Sequence, residues 1–342
     1  MTMPRQAAPQ RASRLGLYGP FVAVAMALAV WSGGWLWMKA KAEQALDAVA
    51  AQRQAAGGSF AWRDRSVSGY PFRLDVDFTG LAWREPTGWA LAAPSLKAET
   101  SVFTPGHWVA FAPDGAILGR PMGGAVRITA KVLRGSVSNP AAHPPTLSLE
   151  GVGLAFAPAP GAAPFFLENA AELHLHTRAG PADQGAFFFE LDRATPAPLS
   201  VLGRLAAGKT VTVTADVLFS RAGEMAGSSW ARAVDAWASA GGQLQVRRLR
   251  LTTGDTVLDA QGFGLSADGD RLNGALQTTL SHGDRMLSAL AASGALDPAA
   301  ARIAAAVLQA AHVGTLDHAT LTFQAGRTTV GPVALGAAPK VY

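Results

Sequence analysis

The chain has 342 residues, of which 49% are hydrophobic and 15% charged. This is enough for one large or two ordinary folded domains, and it excludes a disordered chain. The sequence contains no cysteine, which excludes disulfides, thiolate metal sites and cysteine nucleophiles. The net charge is +5, but five basic residues precede the first acid, Glu43, and they equal the whole excess. Since the remainder is neutral overall, a nucleic-acid partner is not expected.

The first predicted element is an apolar helix. No residue from Leu15 to Met38 is charged, and a run of this length can cross the hydrocarbon core of a bilayer, which needs about 20 residues. Its far end carries three tryptophans, and indole rings favour the membrane interface. Arginines precede the run, so the positive-inside tendency predicts a cytoplasmic tail (1–14), an inner-membrane anchor (15–38) and a periplasmic bulk of the chain. The residues that carry this prediction are Trp31, Trp35, Trp37, Arg5, Arg11 and Arg14.

A cleaved signal peptide is the alternative interpretation of the same segment. Ala40 and Ala42 give the small-x-small pattern of a cleavage site. The apolar run, however, exceeds the usual core of about 7–15 residues, and bulky tryptophans lie just before the site. These features favour an uncleaved, single-pass anchor.

An Ala-rich segment, 39–57, follows with apolar residues at helical spacing and ends at Gly57 and Gly58. It predicts a membrane-proximal helix that continues the anchor. The rest of the chain, 58–342, is called the body below. We predict that it is a periplasmic β-rich domain, with 58–195 and 196–342 as candidate halves.

Strand patterns dominate the body. In "YPFRLDVDFTGLAW" the residues Phe72, Leu74, Val76 and Phe78 share one face, and Arg73, Asp75, Asp77 and Thr79 share the other. Such alternation is typical of an antiparallel strand with one solvated face. Arg73 is expected to pair with the aspartates across the sheet. Similar alternation recurs in "HWVAFA", "AVRITAKVL", "TLSLEGVGLAFA", "AELHLHT", "GAFFFELD", "KTVTVTADVLF", "GQLQVRRLRLT", "TVLDAQGFGLSA", "RLNGALQTTLS" and "TLDHATLTFQ".

The stretch "GRLAAGKT", Gly203 to Thr210, matches the pattern of a phosphate-binding loop. That loop needs a helix that begins at the Lys-Thr end. Here the residues from Val211 alternate with a period of two and predict a strand, so the sequence favours an ordinary turn.

Two helical regions interrupt the strands. The first places Trp230, Ala233, Val234 and Trp237 on one face. The second, from Asp284 to Gly314, predicts a helical hairpin in which Asp297 is the N-cap of the second helix and Ile303 lies on its apolar face. The predicted fold class is therefore mainly β (α+β): a large antiparallel β-meander with a few covering helices, preceded by one N-terminal transmembrane helix.

Candidate chemistry is sparse. His174 and His176 share one strand face, as metal ligands can, but further ligands are not evident nearby. Asp75 and Asp77 could form a carboxylate pair, although solvated acids opposite an apolar stripe are commoner. We predict no catalytic, metal or cofactor site, and therefore no enzyme.

The segments "SVSGYPFRLDVDFTGLAW" and "LRLTTGDTVLDAQGFGLSADGDRLNGALQTTLSH", with the closing "VGPVALGAAPKVY", resemble a bacterial family of membrane-anchored envelope proteins, domain of unknown function 2125. That resemblance implies a short N-terminal anchor and assigns no activity. The strand style is also similar, more loosely, to that of AsmA-like proteins, which are inner-membrane anchored and implicated in lipid movement. Fold-level analogy says little about function by itself.

The expected function is that of a membrane-anchored periplasmic protein which binds lipid or another hydrophobic envelope component. An apolar sheet face that the helices leave uncovered would form a groove beside the anchor, and Phe72, Leu74, Val76 and Phe78 are the predicted lining. A fully closed core is the competing interpretation. The alternative function is a structural protein that scaffolds unidentified partners at the inner membrane through sheet edges or the Trp230–Trp237 helix.

Overall fold

The computed structural model describes residues 15–140, 142–227, 229–292, 294, 296–310, 312–313, 316–331 and 333–342. The predicted cytoplasmic tail, 1–14, lies outside the described residues. Five α-helices occur in the described part of the chain: α1 (Leu15–Ala55), α2 (Val201–Ala206), α3 (Trp230–Ser239), α4 (Gly283–Ala292) and α5 (Pro298–Ala310).

The strands of the first half of the body are β1 (Ser59–Ala61), β2 (Asp64–Ser68), β3 (Arg73–Arg84), β4 (Ala90–Ser101), β5 (His107–Phe111), β6 (Ala116–Arg120), β7 (Gly124–Thr129), β8 (Val132–Ser138), β9 (Thr146–Pro158), β10 (Leu167–Ala179) and β11 (Gly185–Pro196). Those of the second half are β12 (Val211–Phe219), β13 (Leu244–Thr253), β14 (Thr256–Asp268), β15 (Arg271–Leu280), β16 (His312–Val313), β17 (Leu316–Gln324), β18 (Arg327–Val330) and β19 (Val333–Ala337).

All these strands belong to one antiparallel sheet. β3 pairs with β1 and β2 on one side and with β4 on the other. β4 pairs with both β5 and β6. β5 pairs with β8, β6 pairs with β7, and both β7 and β8 pair with β9. From β9 to β15 each strand pairs with the next in sequence, and the sheet ends through β17, β18 and β19. The fold is the predicted β-meander, and β11 pairs with β12 across the candidate boundary at 195/196.

α1 is one continuous helix that includes both the predicted anchor and the membrane-proximal segment. Its apolar part is exposed, and Phe21, Val24, Met26 and Val30 are all more than half exposed. Among the described helices it alone is long and apolar enough to cross a membrane. Its later turns pack against the sheet instead, where Met38, Ala42 and Leu46 contact the core below β2 and β3.

The remaining helices pack at the margins of the sheet. α2 contacts β11 and α4, while α5 contacts β17 and β19. α3 covers the opposite strand ends, where Val234 and Trp237 are buried with Phe219, and the Trp237 indole donates a hydrogen bond to the Ser220 carbonyl at 2.7 Å. The helices therefore close the strand ends.

The C-terminal residues bind α3 at the margin of the sheet that this helix covers. The Trp230 indole donates to the Val341 carbonyl at 2.8 Å, and the Tyr342 hydroxyl donates to Asp235 at 2.8 Å. That hydrogen bond raises the pKa of Tyr342. The Lys340 ammonium lies 2.8 Å from Asp270 and, by its hydrogen bond, lowers the pKa of that carboxyl.

Candidate functional site: an apolar strip on the sheet

Three of the four predicted lining residues belong to the closed core beneath α1. Leu74, Val76 and Phe78 are only 3%, 2% and 5% exposed, and they pack with Met38 and Leu46 of the helix. The prediction of an open lining at these positions is wrong because α1 continues past the membrane segment and lies over this part of the sheet. The apolar face itself was correctly predicted.

Phe72, the fourth residue, lies just before β3 and is 58% exposed. Its ring lies 6.1 Å from that of Trp31 on α1 and 6.4 Å from that of Phe103. It therefore belongs to an aromatic cluster at the end of the sheet, next to the apolar helix.

An uncovered apolar surface lies farther along the same sheet, on β8 to β13. Side chains that share a register in successive strands form rows across the sheet, and three such rows are almost wholly apolar. We call this surface the apolar strip. Its rows are Leu133, Gly151, Leu173, Leu191, Val213 and Leu251; Gly135, Leu149, Leu175, Phe189, Ala215 and Leu249; and Val137, Leu147, Thr177, Phe187, Val217 and Val246.

The strip is open at its centre. Leu149 is 38% exposed, and Leu175 and Leu249 are half-buried. These three residues lie outside the five buried clusters found among the described residues. The clusters cover the strand ends: Leu154 and Ala194 are buried at one margin together with Leu191 of the first row, and Phe219 is buried at the other. The strip is thus bounded at both edges and exposed between them.

The opposite face of the same strands is polar. One row there consists of Arg134, Glu150, His174, Glu190, Thr214, Arg250 and Asp259. Glu150 accepts a 2.7 Å hydrogen bond from the Arg134 guanidinium. Because one face is charged and the other apolar, water is the natural neighbour of the first and a poor neighbour of the second.

A continuous register connects the strip to the core under α1. Val76 pairs with Ala98, which pairs with Ala110, and that residue pairs with Gly135 at the start of the central row. The same dry face therefore runs from beneath the helix to the open strip without a change of side.

The two histidines lie on the polar face and make local contacts. His174 is 3.1 Å from the Glu172 carboxylate, and His176 is 2.9 Å from the Ser148 hydroxyl. Their rings stack at 6.2 Å. Within the described residues no group of three or more histidines, aspartates and glutamates is placed to hold a metal ion.

The polar face also carries an open depression of about 730 Å³. Arg248, Asp259, Gln261 and His318 line it, and Arg250 lies 3.7 Å from Asp259. The lining mixes both signs of charge, and within it the Thr279 hydroxyl lies 3.4 Å from the His318 imidazole.

Asp75 of the candidate carboxylate pair is bound by an arginine. Arg73 binds the Asp75 carboxylate at 3.0 Å and Glu99 at 3.5 Å. Asp75 is 5% exposed, and the arginine compensates its charge. Arg73 does pair with an aspartate, but along its own strand β3, and its partner across the sheet is Glu99 on β4.

The segment "GRLAAGKT" is a turn into a strand, as predicted. Gly203 lies inside α2, Ala207 and Gly208 have positive φ, and β12 begins at Val211. The described chain has no helix that begins at Lys209, whose ammonium lies 3.8 Å from Asp255 instead.

The two tryptophans of α3 differ in exposure. Trp237 is 3% exposed, whereas Trp230 is 49% exposed. The indole of the latter is already bonded to the C-terminal segment. Of the predicted apolar face, Ala233, Val234 and Trp237 therefore serve the protein's own core, and Trp230 stays half exposed.

Comparison with known proteins matches residues 35–339 to the family described as "Uncharacterized protein conserved in bacteria (DUF2125)". The chain belongs to this family. The match begins at Trp35, so it includes the half of α1 that packs on the sheet. No curated protein and no solved structure matched the chain, and the similarity to AsmA-like proteins stays an expectation.

Sequence patterns identified most strands of the strip but not the strip itself. "TLSLEGVGLAFA", "AELHLHT" and "GAFFFELD" each alternate, yet alternation leaves the register between strands open. The signal that could have found the strip is the recurrence of one dry face in strand after strand without enough apolar helix to cover it.

Proposed function

We propose that this DUF2125 protein is a single-pass protein of the bacterial inner membrane whose periplasmic body binds the acyl chains of a lipid on the apolar strip. The single observation that carries the proposal is the apolar strip on β8 to β13, which is open around Leu149 and Leu175 in its central row and covered towards its margins.

The anchoring half of the proposal is supported by α1. Its apolar residues from Tyr18 to Val30 are exposed, so the body does not bury them and a bilayer can. The basic residues before the helix favour a periplasmic body. The helix is unbroken through Ala40 and Ala42, and Ala42 contacts the core, which favours retention of the segment over its cleavage.

The size of the strip suits an acyl chain. Three rows two residues apart span about 14 Å, and the five spacings from β8 to β13 span about 24 Å. Monomeric soluble proteins rarely expose contiguous apolar patches larger than a few hundred Å² unless the patch binds something. An extended hydrocarbon chain can contact several rows at once and needs no polar partner there. The proposal includes no catalytic step.

Photo-crosslinking in intact cells tests the proposal with controls built into the strands. A photoreactive amino acid replaces Leu149 or Leu175 in the full chain, and the control variants carry it at Ser148 or His174, the preceding residues on the polar face. After irradiation the protein is purified and its adducts are identified by mass spectrometry. We expect lipid adducts several-fold more abundant at the two leucines than at the controls.

Equal lipid adducts on both faces, or none at the leucines, would contradict the binding proposal. Protein adducts confined to Leu149 and Leu175 would support the alternative function, a scaffold that docks a partner on the same face.

A further inference from the structure

The end of the sheet nearest the membrane helix carries an exposed aromatic group. It consists of Tyr70 to Phe72 in the turn before β3, Arg73 at the start of β3, and Phe103 in the turn after β4; we call these residues the tip. Tyr70, Phe72 and Phe103 are 51%, 58% and 68% exposed. Exposed aromatic rings in a group of this kind mark a surface that meets something other than water.

The tip is fastened to α1 inside the apolar run. The Trp31 indole donates to the Pro71 carbonyl at 3.0 Å, and the Trp35 indole donates to the Arg73 carbonyl at 2.8 Å. The Tyr70 hydroxyl and the Ser32 hydroxyl are 2.9 Å apart. The Phe103 ring lies 5.8 Å from that of Trp31.

These contacts fix the depth of the tip relative to the helix. Lys39, the first charged residue after the apolar run, follows Trp31 by eight residues, which is about 12 Å along a helix that rises 1.5 Å per residue. If Lys39 lies among the headgroups, Trp31 and the tip lie below it, at the boundary of the hydrocarbon. If Trp31 itself marks that boundary, the residues from Leu15 to Trp31 still span about 26 Å. Both placements leave the tip at the bilayer interface.

The chemistry of the tip suits that depth. No acidic residue occurs from Ser68 to Phe72 or from Ser101 to Gly106. Arg73 is paired with Asp75 and Glu99. Local bonds satisfy several backbone amides, since Arg73 donates to the Gly69 carbonyl and Val102 to the Phe72 carbonyl. Tyrosine and tryptophan favour the interface, and satisfied backbone groups lower the cost of entering it.

We propose that the tip inserts into the interface of the leaflet that faces the body and is a second membrane contact beside α1. The occupant of this surface is the lipid bilayer itself. The inference rests on the proposed membrane anchoring by α1. Two contacts, helix and tip, hold the body at a fixed height and orientation above the membrane.

The absence of native cysteine makes a site-specific depth measurement direct. Single-cysteine variants Phe103→Cys and Phe72→Cys of the full chain carry a nitroxide spin label in bilayer nanodiscs of phosphatidylethanolamine and phosphatidylglycerol. Val24→Cys, within α1, is the bilayer control, and Met122→Cys, which replaces a residue that is 98% exposed, is the aqueous control. Collisions of each label with oxygen and with a water-soluble nickel chelate report its depth.

We expect both tip labels to favour oxygen over nickel, as the Val24→Cys label does, with the reverse ratio at Met122→Cys. The second tip position guards against misfolding of one variant. Tip labels that match Met122→Cys, while Val24→Cys lies in the bilayer, would overturn the inference and leave the anchor intact. A Val24→Cys label in water would instead refute the anchoring proposal.

Discussion

Leu149 and Leu154 lie on the same strand, β9, in contrasting surroundings. Leu149 is 38% exposed on the apolar strip, whereas Leu154 is 4% exposed and packs in a buried cluster with Ala170 and Ala194. The stability of the protein should therefore depend on the second leucine far more than on the first.

We predict that Leu154→Ala lowers the free energy of unfolding by about 2–5 kcal/mol, because it leaves a cavity. Leu149→Ala should cost less than about 1 kcal/mol, because its side chain is already partly in water. Urea unfolding of the full chain in detergent, followed by tryptophan fluorescence, measures both. Equal losses would mean that the strip is covered.

At the residue scale, the alternation of apolar and polar residues predicted which face of the sheet each side chain lies on. It did not predict which element covers that face. Leu74, Val76 and Phe78 were correctly assigned to an apolar face, and Arg73 was correctly expected to pair with an aspartate. That α1 lies over that face could not be read from the strand, because the covering residues Met38, Ala42 and Leu46 belong to a distant element. Ile303, expected on the apolar face of α5, is 57% exposed, and Ala301 and Ala304 are buried instead; a helix so rich in alanine has little contrast between its faces.

At the element scale, the strong patterns gave the right structures. α3, the α4–α5 hairpin and β12 after Lys209 all occur. Short strands such as β6 and β18 escaped prediction because four or five residues show too little alternation. The run "AVRITAKVL" divides into β7 and β8, because separate parts of β9 pair with each.

The N-cap of α5 gives a prediction at this scale. The Asp297 carboxylate accepts hydrogen bonds from the Ala299 and Ala300 amides at 2.8 and 3.1 Å. Asp297→Ala should lower the free energy of unfolding by about 0.5–2 kcal/mol, because two amides lose their acceptor. Denaturant unfolding of the full chain measures the loss.

Asp297→Asn is the matched control, since asparagine also caps helices. It should retain most of the stability. If both substitutions were neutral, the cap would not contribute to holding α5 against β17 and β19.

At the scale of the whole molecule, α1 belongs to two environments. Its first part is exposed and apolar, and its later turns complete the core over β2 and β3. The folded unit therefore begins inside the helix, and the family match from Trp35 agrees with this. The boundary that the sequence predicted at 57/58 lies at Gly57 and Gly58, where the helix ends. It does not separate two folded units, because helix residues before it pack against strands after it.

This arrangement predicts different behaviour for two truncated chains. A chain of residues 58–342 loses the cover of Val67, Leu74, Val76 and Phe78, and uncovering buried side chains of this size costs roughly 1.5–3 kcal/mol each as an upper estimate. Because a whole domain is stable by only about 5–15 kcal/mol, this chain should unfold at a much lower urea concentration than residues 35–342 and should bind a hydrophobic dye.

The full chain tests the same packing without truncation. Leu46→Ala should lower the free energy of unfolding more than Leu36→Ala, which changes an exposed position. Equal urea midpoints for the two truncated chains would show that the body folds without the helix.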